Sequence, residues 1–361
     1  MKVVEGIYRI YEHYVRELIS TLGMKEKTVS MKKGTALIWS ANLLHGGGAI
    51  GLDYLRIQRR HDGIRVQLKH LYHTTKPGIV TGNLLNALTG FSLAAALNPA
   101  GFDLWMLLAL LLGLGLVVAS GCVLNNWIDR DIDALMQRTQ KRATVSGELG
   151  GVAALSFGFV LGALGFMVLA ASFTPAVTLT ALAGWLIYTG AYSLHFKRAS
   201  VHGTLIGSFS GAAPALAGFL ALAEPDFGAL LLFGAYVLWQ MPHSYAIAIF
   251  RGADYGAAKL PVLPLVRSFA GTRRQMLIYA LGFTALVLAL PILGYAGWVF
   301  ALPVALSCLW WLRTLLTPAE RIQTLEQRNK WGQQVFIGSI WCVLAMTLGA
   351  ALQLALVLLS V

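Results

Sequence analysis

The chain has 361 residues, of which 57% are hydrophobic and 12% charged, with a formal net charge of +12. A mean hydropathy of +0.66 excludes an ordinary soluble domain and reads as a polytopic membrane protein. The cations cluster between apolar spans rather than along one surface, so the charge reports membrane topology and no nucleic-acid partner is expected.

Residues 1–65 differ in composition from the rest and read as a small mixed appendage, with residues 66–361 forming the membrane domain. No secretory signal pattern is visible in this mixed, charged segment. IYRIYEHYVRELISTL has apolar residues at helical spacing, and TALIWSANLLHGGGAI reads as a strand leading into a glycine turn. The words KKGTALIWSANLLHGG resemble the C-terminal part of the phytanoyl-CoA dioxygenase family, a resemblance confined to residues 1 to about 50 that puts His45 in an iron-ligand position. The 2-His-1-carboxylate site of that family also needs an HxD pair, and none precedes His45. About fifty residues cannot close a double-sheet jelly roll either. The segment is therefore expected to be a fused fragment without oxygenase activity, the alternative being a docking appendage.

From Lys76 onward nine stretches approach the ~20 residues that cross a bilayer core: Gly78–Leu97, Leu104–Leu124, Val152–Ser172, Ala176–Leu194, Gly203–Leu222, Phe227–Phe250, Met276–Gly294, Gly297–Leu316 and Val335–Leu359. The expected fold is an all-α membrane bundle of nine transmembrane helices. Arg56 to Lys76, Arg130 to Arg142, Lys197 with Arg198, Arg251 to Arg274, and Arg313 to Lys330 hold nearly all the cations, in alternate connections. The positive-inside rule puts these connections and the N-terminus in the cytoplasm and the C-terminus outside. Cys122, Cys308 and Cys342 each lie in an apolar run without CxxC spacing, as small buried hydrophobes do.

The stretch NNWIDRDID, Asn125 to Asp133, follows the second apolar run. On a continuing helix Asn125, Asp129 and Asp133 fall at i, i+4 and i+8 and share a face, whereas Asp131 points elsewhere. Two carboxylates beside an amide are hard oxygen donors that can hold Mg²⁺ and leave positions open for phosphate oxygens. Arg138, Lys141 and Arg142 follow at once, so cations for a polyphosphate arrive in the same segment. The bland alternative is a solvated loop after a membrane helix.

WQMPHSYAIAIFRGADYGAAKLPVLP places Gln240, His243 and Tyr245 inside an apolar span, where polar groups face a bundle interior or simply brace helix packing. Asp254 follows as a candidate second metal ligand. Lys76 contacts phosphate or snorkels at its span end, with Asn83 and Asn86 further in. Lys197 and Arg198, beside Tyr192, lean towards phosphate. Gly207 and Gly211 suggest close helix approach. Of the histidines near the basic side (His70, His73, His195, His202 and His243), spacing picks no haem ligand pair, and CxxCH is absent.

Taken together, TKPGIVTGN, VVASGCVLNNWIDRDID, YSLHFKR, HGTLIGSFSGAAP and LWQMPHSYAIAIFRGADYGAAKLPVLP closely resemble the haem O synthases, the protohaem IX farnesyltransferases of the UbiA-type superfamily of intramembrane prenyltransferases. The resemblance runs from about Val66 to the C-terminus. The superfamily's NDxxDxxxD motif appears here as NNxxDxxxD, with Asn126 at the usual acidic position, and its second aspartate-rich motif is reduced to Asp254. The resemblance implies transfer of farnesyl from farnesyl diphosphate to a vinyl group of haem b with addition of water, in the bacterial inner membrane. It assigns Asn125, Asp129 and Asp133 to a Mg²⁺-diphosphate, with Asp254 as a further metal ligand. Arg142, Lys197, Arg198, Lys76 and Asn83 fall on the diphosphate, and His243 on haem. It also implies contact with terminal-oxidase assembly or haem A synthesis machinery. Competing readings are an aromatic quinone-precursor acceptor, a transporter, for which the spans lack evident symmetry, and a non-catalytic haem-binding assembly factor, which would not need the acidic motif.

Overall fold

The computed structural model describes residues 66–360, and every long element in them is a helix. The expected helix, strand and His45 site of the appendage lie outside the described residues. Nine long helices follow one another: α1 Pro77–Leu97, α2 Leu104–Ile128, α3 Gly151–Ser172, α4 Pro175–Leu186, α5 Gly203–Leu220, α6 Phe227–Phe250, α7 Phe269–Ile292, α8 Trp298–Leu315 and α9 Leu325–Ser360.

Local chemistry marks where they start. Proline opens α1 and α4, where its missing N–H is no loss. Asp103, Asp226 and Ser268 accept from the first-turn N–H groups of α2, α6 and α7. Among the described residues eight helices are long and apolar enough to cross a membrane. The remaining long one, α6, has 24 residues but interrupts its apolar run with Gln240, Pro242, His243 and Ser244, so nine crossings are not established by apolarity alone. Several helices outrun the expected spans. α7 begins at Phe269 rather than Met276, and α9 has 36 residues, about 54 Å at the helical rise, well over the ~30 Å of a bilayer core. Their first turns are polar and carry the helix past the apolar window.

Leu108, Leu112, Phe159, Leu230, Leu281, Leu306 and Leu352 are exposed. Lipid tails are as apolar as these side chains, so an outer coat of this kind belongs in a bilayer and the chain is an integral membrane protein. Inside, α1 packs on α2, α5 and α9, while α6 packs on α5, α7 and α9. The tightest crossing is α1 on α5. A Cβ at Gly90 would lie 2.0 Å from the Ala215 carbonyl oxygen, and one at Gly218 would lie 2.1 Å from that of Ala87. Gly207 and Gly211, expected to serve such an approach, instead clear side chains: Gly207 faces the Tyr192 ring and Gly211 the Gln240 amide.

Candidate functional site

The helical face expected of the acidic segment is present. Although α2 ends at Ile128 and a short helix, Arg130–Leu135, follows, the Asp129 N–H still donates to the Asn125 carbonyl at 2.9 Å and the Asp133 N–H to that of Asp129 at 2.8 Å. The i→i+4 ladder therefore crosses the junction and keeps Asn125, Asp129 and Asp133 in line. All three are buried. Asp131, off this face, is exposed and held by Arg198 at 2.6 and 2.7 Å, and those hydrogen bonds pull its carboxyl down to about 2.

Buried carboxylates need partners, and here cations from two other segments supply them. The Lys197 ammonium pairs with Asp129 and the Arg142 guanidinium with Asp133. Arg198 reaches Asp129 at 3.5 Å and donates to the Ile128 carbonyl at 2.8 Å. The Asn125 amide donates to Asp129 at 2.7 Å and to the Ser193 hydroxyl at 2.8 Å, and its oxygen accepts from the Lys76 ammonium. Lys76 immediately precedes α1 with a left-handed backbone, φ 52°, an uncommon state for a non-glycine residue that the surrounding contacts must hold. Burial pushes its ammonium down to about 8.

Two further residues brace this cluster without any cue in helical spacing. Asn126 donates to the Thr74 carbonyl at 2.8 Å and accepts from Arg142 at 3.0 Å, tying the approach to α1 to the acidic segment. Ser193 lies in a π-helical stretch, Ile187–Phe196, that continues α4. Its hydroxyl donates to the Tyr188 carbonyl, five residues back, at 2.7 Å. This wider turn, a feature that recurs at functional sites, accompanies Tyr188 and Tyr192, stacked with ring centroids 5.8 Å apart on the cavity wall.

The cluster opens into a cavity of about 730 Å³ walled by α1, α2, α4, α5, α6 and α9, large enough for an organic ligand. Four cations (Lys76, Arg138, Arg142 and Lys197) and a single carboxylate, Asp133, line it. That imbalance suits an anionic headgroup, while Leu114, Val117, Ile340, Val343 and Leu344 suit a hydrocarbon. Asn83 also lines the wall, its amide donating to the Ile79 carbonyl at 2.8 Å. His243 lies on the same cavity, between Trp239 at 4.6 Å and Phe336 at 4.8 Å. Arg198 stands behind the wall, and Asp254 lies off it, next to Tyr255, which does line it. Of the residues lining the mouth, Arg138 belongs to the basic run expected to meet a polyphosphate and Tyr192 stands beside the Lys197–Arg198 pair, whereas no spacing singles out Tyr188.

Among the described residues no three His, Cys, Asp or Glu side chains gather to enclose a metal. Two carboxylates and an amide on one face nevertheless fit Mg²⁺, which keeps several water or phosphate ligands and seldom takes an all-protein cage. The cations now on those carboxylates match a site meant to receive polyphosphate together with metal.

A model of the UbiA prenyltransferase family matches residues 83–340. The chain is 47% identical to Protoheme IX farnesyltransferase 2 of Shewanella woodyi over 283 residues, covering 78% of this chain and 96% of the relative. It is 46% identical to Protoheme IX farnesyltransferase 2 of Chromobacterium violaceum over 289 residues, covering 80% and 94%. In fold it is similar to a UbiA homolog from Archaeoglobus fulgidus solved with GPP and Mg²⁺, with a TM-score of 0.57 and 16% identity across 77% of this chain and 99% of that one.

Proposed function

This chain belongs to the UbiA prenyltransferase family, and from that premise we propose that it is a protohaem IX farnesyltransferase: it transfers farnesyl from farnesyl diphosphate to a vinyl group of haem b, with addition of water, giving haem O and diphosphate. The observation that carries the chemistry is the single face of Asn125, Asp129 and Asp133, paired with cations, of which Asn125 and Asp133 line a cavity that also has apolar walls. The quinone-precursor acceptor has no such support, since the relatives at 46–47% identity are named for protohaem.

In this reading Asn125, Asp129 and Asp133 hold Mg²⁺, with Asp254 as an outer candidate. Bound there, the metal supplies charge that stabilises the departing diphosphate. Arg142, Lys197 and Lys76 turn to phosphate oxygens, joined by Arg138, and Asn83 stands where the prenyl chain enters the apolar part. Arg198, tied to Asp131 and Asp129, steadies the metal face from behind. Preorganised cations aimed at developing negative charge are the main protein contribution to such a cleavage. The apolar walls keep bulk water from the allylic cation, and His243 meets the haem.

We place the enzyme in the bacterial inner membrane with its mouth and N-terminus in the cytoplasm, because the basic connections fall on that side. Its product is handed on within the membrane to haem A synthesis or terminal-oxidase assembly machinery, which crosslinking in native membranes would detect. The direct test uses purified protein in detergent with Mg²⁺, haem b and farnesyl diphosphate, followed by mass spectrometry of the pigment. A gain of farnesyl plus water, lost with EDTA and restored by Mg²⁺, is expected. Prenylation of a quinone precursor with untouched haem overturns the assignment.

A further inference from the structure

Midway along the membrane helices the apolar cavity is interrupted. Asn86 stands tenth in the 21-residue α1, Ser210 eighth in the 18-residue α5, and Gln240 fourteenth in the 24-residue α6, with Ser244 one turn beyond; all four line the cavity. Asn86 is 5% exposed and its Oδ1 is buried without a hydrogen-bond partner, while its amide nitrogen reaches only the Gly211 carbonyl, at 3.5 Å. The Gln240 amide lies against the same glycine, where a Cβ on Gly211 would come within 2.0 Å of it. Among the described residues the Gln240, Ser210 and Ser244 side chains make no hydrogen bond to protein. Polar groups at this depth are costly unless something else satisfies them, and a water needs two to four such partners.

His243 is on the same face of α6, three residues after Gln240. Its Nδ1 is 2.8 Å from the Ser339 hydroxyl on α9. That hydroxyl is also 2.5 Å from the Phe336 carbonyl oxygen, and two oxygens so close need a proton between them. The serine hydrogen is thereby committed to the carbonyl, so the imidazole must donate from Nδ1. Its Nε2 is left with a lone pair on a ring clamped between Trp239 and Phe336, and Trp239 Nε1 in turn donates to the Ser339 carbonyl at 2.7 Å.

We infer that Gln240 and Asn86 hold the water that is added to the substrate and that His243 Nε2 takes its proton, with Ser339 as the positioning residue that fixes the tautomer. The inference rests on the farnesyl-transfer reading. The C1–O bond of farnesyl diphosphate breaks with its electron pair leaving on the diphosphate. The vinyl π pair forms the new bond from C1 to the terminal vinyl carbon, and the inner vinyl carbon becomes the cation. Water oxygen bonds to that carbon and its proton passes to Nε2, which later releases it to solvent. Without a positioned water and base, the same cation loses a proton from its neighbouring carbon and leaves an alkene.

The two fates differ by one water in mass, and their ratio is insensitive to how fast the enzyme turns over. The experiment uses the full chain in detergent with haem b, farnesyl diphosphate, Mg²⁺ and H₂¹⁸O. Wild type is expected to give ¹⁸O-labelled farnesyl-plus-water product. His243→Ala and Gln240→Leu shift the product at least ~10-fold towards the alkene, Ser339→Ala shifts it part of the way, and Ser339→Thr, which keeps the hydroxyl, restores it. Gln240→Leu, close in size to the wild-type side chain, carries the test if His243→Ala does not fold. An unchanged product ratio in Gln240→Leu and Ser339→Ala, whatever their rates, overturns the inference. So does complete loss of transfer in both variants while farnesyl diphosphate still binds. Wild-type protein that leaves haem unprenylated strikes instead at the farnesyltransferase reading beneath it.

Discussion

Asn126 occupies the position where the wider superfamily carries an acid, and its two hydrogen bonds give the reason an amide serves here. An amide can donate to the Thr74 carbonyl while accepting from Arg142, which an ionised carboxylate cannot do. Asn126→Asp keeps the arginine contact but sets a carboxylate oxygen against a carbonyl oxygen in a buried position, at a cost of about 1–3 kcal/mol. The variant is expected to unfold at a lower temperature in detergent and to need no more or less Mg²⁺ than wild type; a higher apparent metal affinity would make Asn126 a ligand position after all. Asp129→Asn and Asp133→Asn test the opposite case. Each keeps its shape and a hydrogen-bonding oxygen but removes the charge that binds metal, so turnover should fall by about 10²–10³-fold or more, in line with the loss of other transition-state charge stabilisers. The thermal stabilisation given by Mg²⁺ with inorganic diphosphate should vanish in the same proteins. Wild-type turnover in either variant sinks the metal assignment.

At the level of elements, the acidic face was legible because it depends only on the 3.6-residue repeat, which carries through the end of α2 into Arg130–Leu135. Asp131 was excluded from that face on the same grounds and is indeed at the surface with Arg198. The π-helical stretch of α4 was not legible. It is marked by a bond from Ser193 to a carbonyl five residues back, stabilised by Asn125 on another helix 68 residues away, and no local period announces it. The same holds for His243, whose tautomer is set by Ser339, 96 residues on. Glycine roles were only half readable, since composition signals closeness but not what comes close. The α1–α5 crossing is where the distinction has a measurable effect. Gly218→Val drives a side chain into the Ala87 backbone carbonyl, which cannot rotate away as a side chain would, and overpacking of this kind costs about 1–3 kcal/mol or more. Its thermal midpoint should drop clearly, whereas Gly256→Ala, where a Cβ meets nothing within 4 Å, should stay at the wild-type value. Equal midpoints for both would mean that α1 and α5 separate in the membrane.

For the molecule as a whole, orientation and the appendage are the properties that packing does not determine. The positive-inside reading proposed above puts the basic connections in the cytoplasm with the acidic cluster, so a C-terminal fusion should be active as alkaline phosphatase and dark as a cytoplasm-dependent fluorescent reporter; the reverse pattern inverts the mouth. The appendage is open to an equally direct argument. The relatives from Shewanella woodyi and Chromobacterium violaceum align over 96% and 94% of their own lengths, yet cover only 78% and 80% of this chain. Their named activity therefore needs little that the membrane domain lacks, and the family match itself begins at residue 83. Among the described residues, Lys76, Asn125, Asp129, Asp133, Arg142 and Lys197 hold one another through hydrogen bonds and ion pairs. Deleting Met1 to Leu55 should consequently leave both kcat and KM for farnesyl diphosphate within about twofold of wild type, since uniform binding and transition-state contacts are both retained. If the truncated protein inserts normally and elutes as a folded species but its kcat collapses, the appendage contributes to the reaction and the two segments form one functional unit. If only the KM for haem rises, it acts as a docking element for the acceptor.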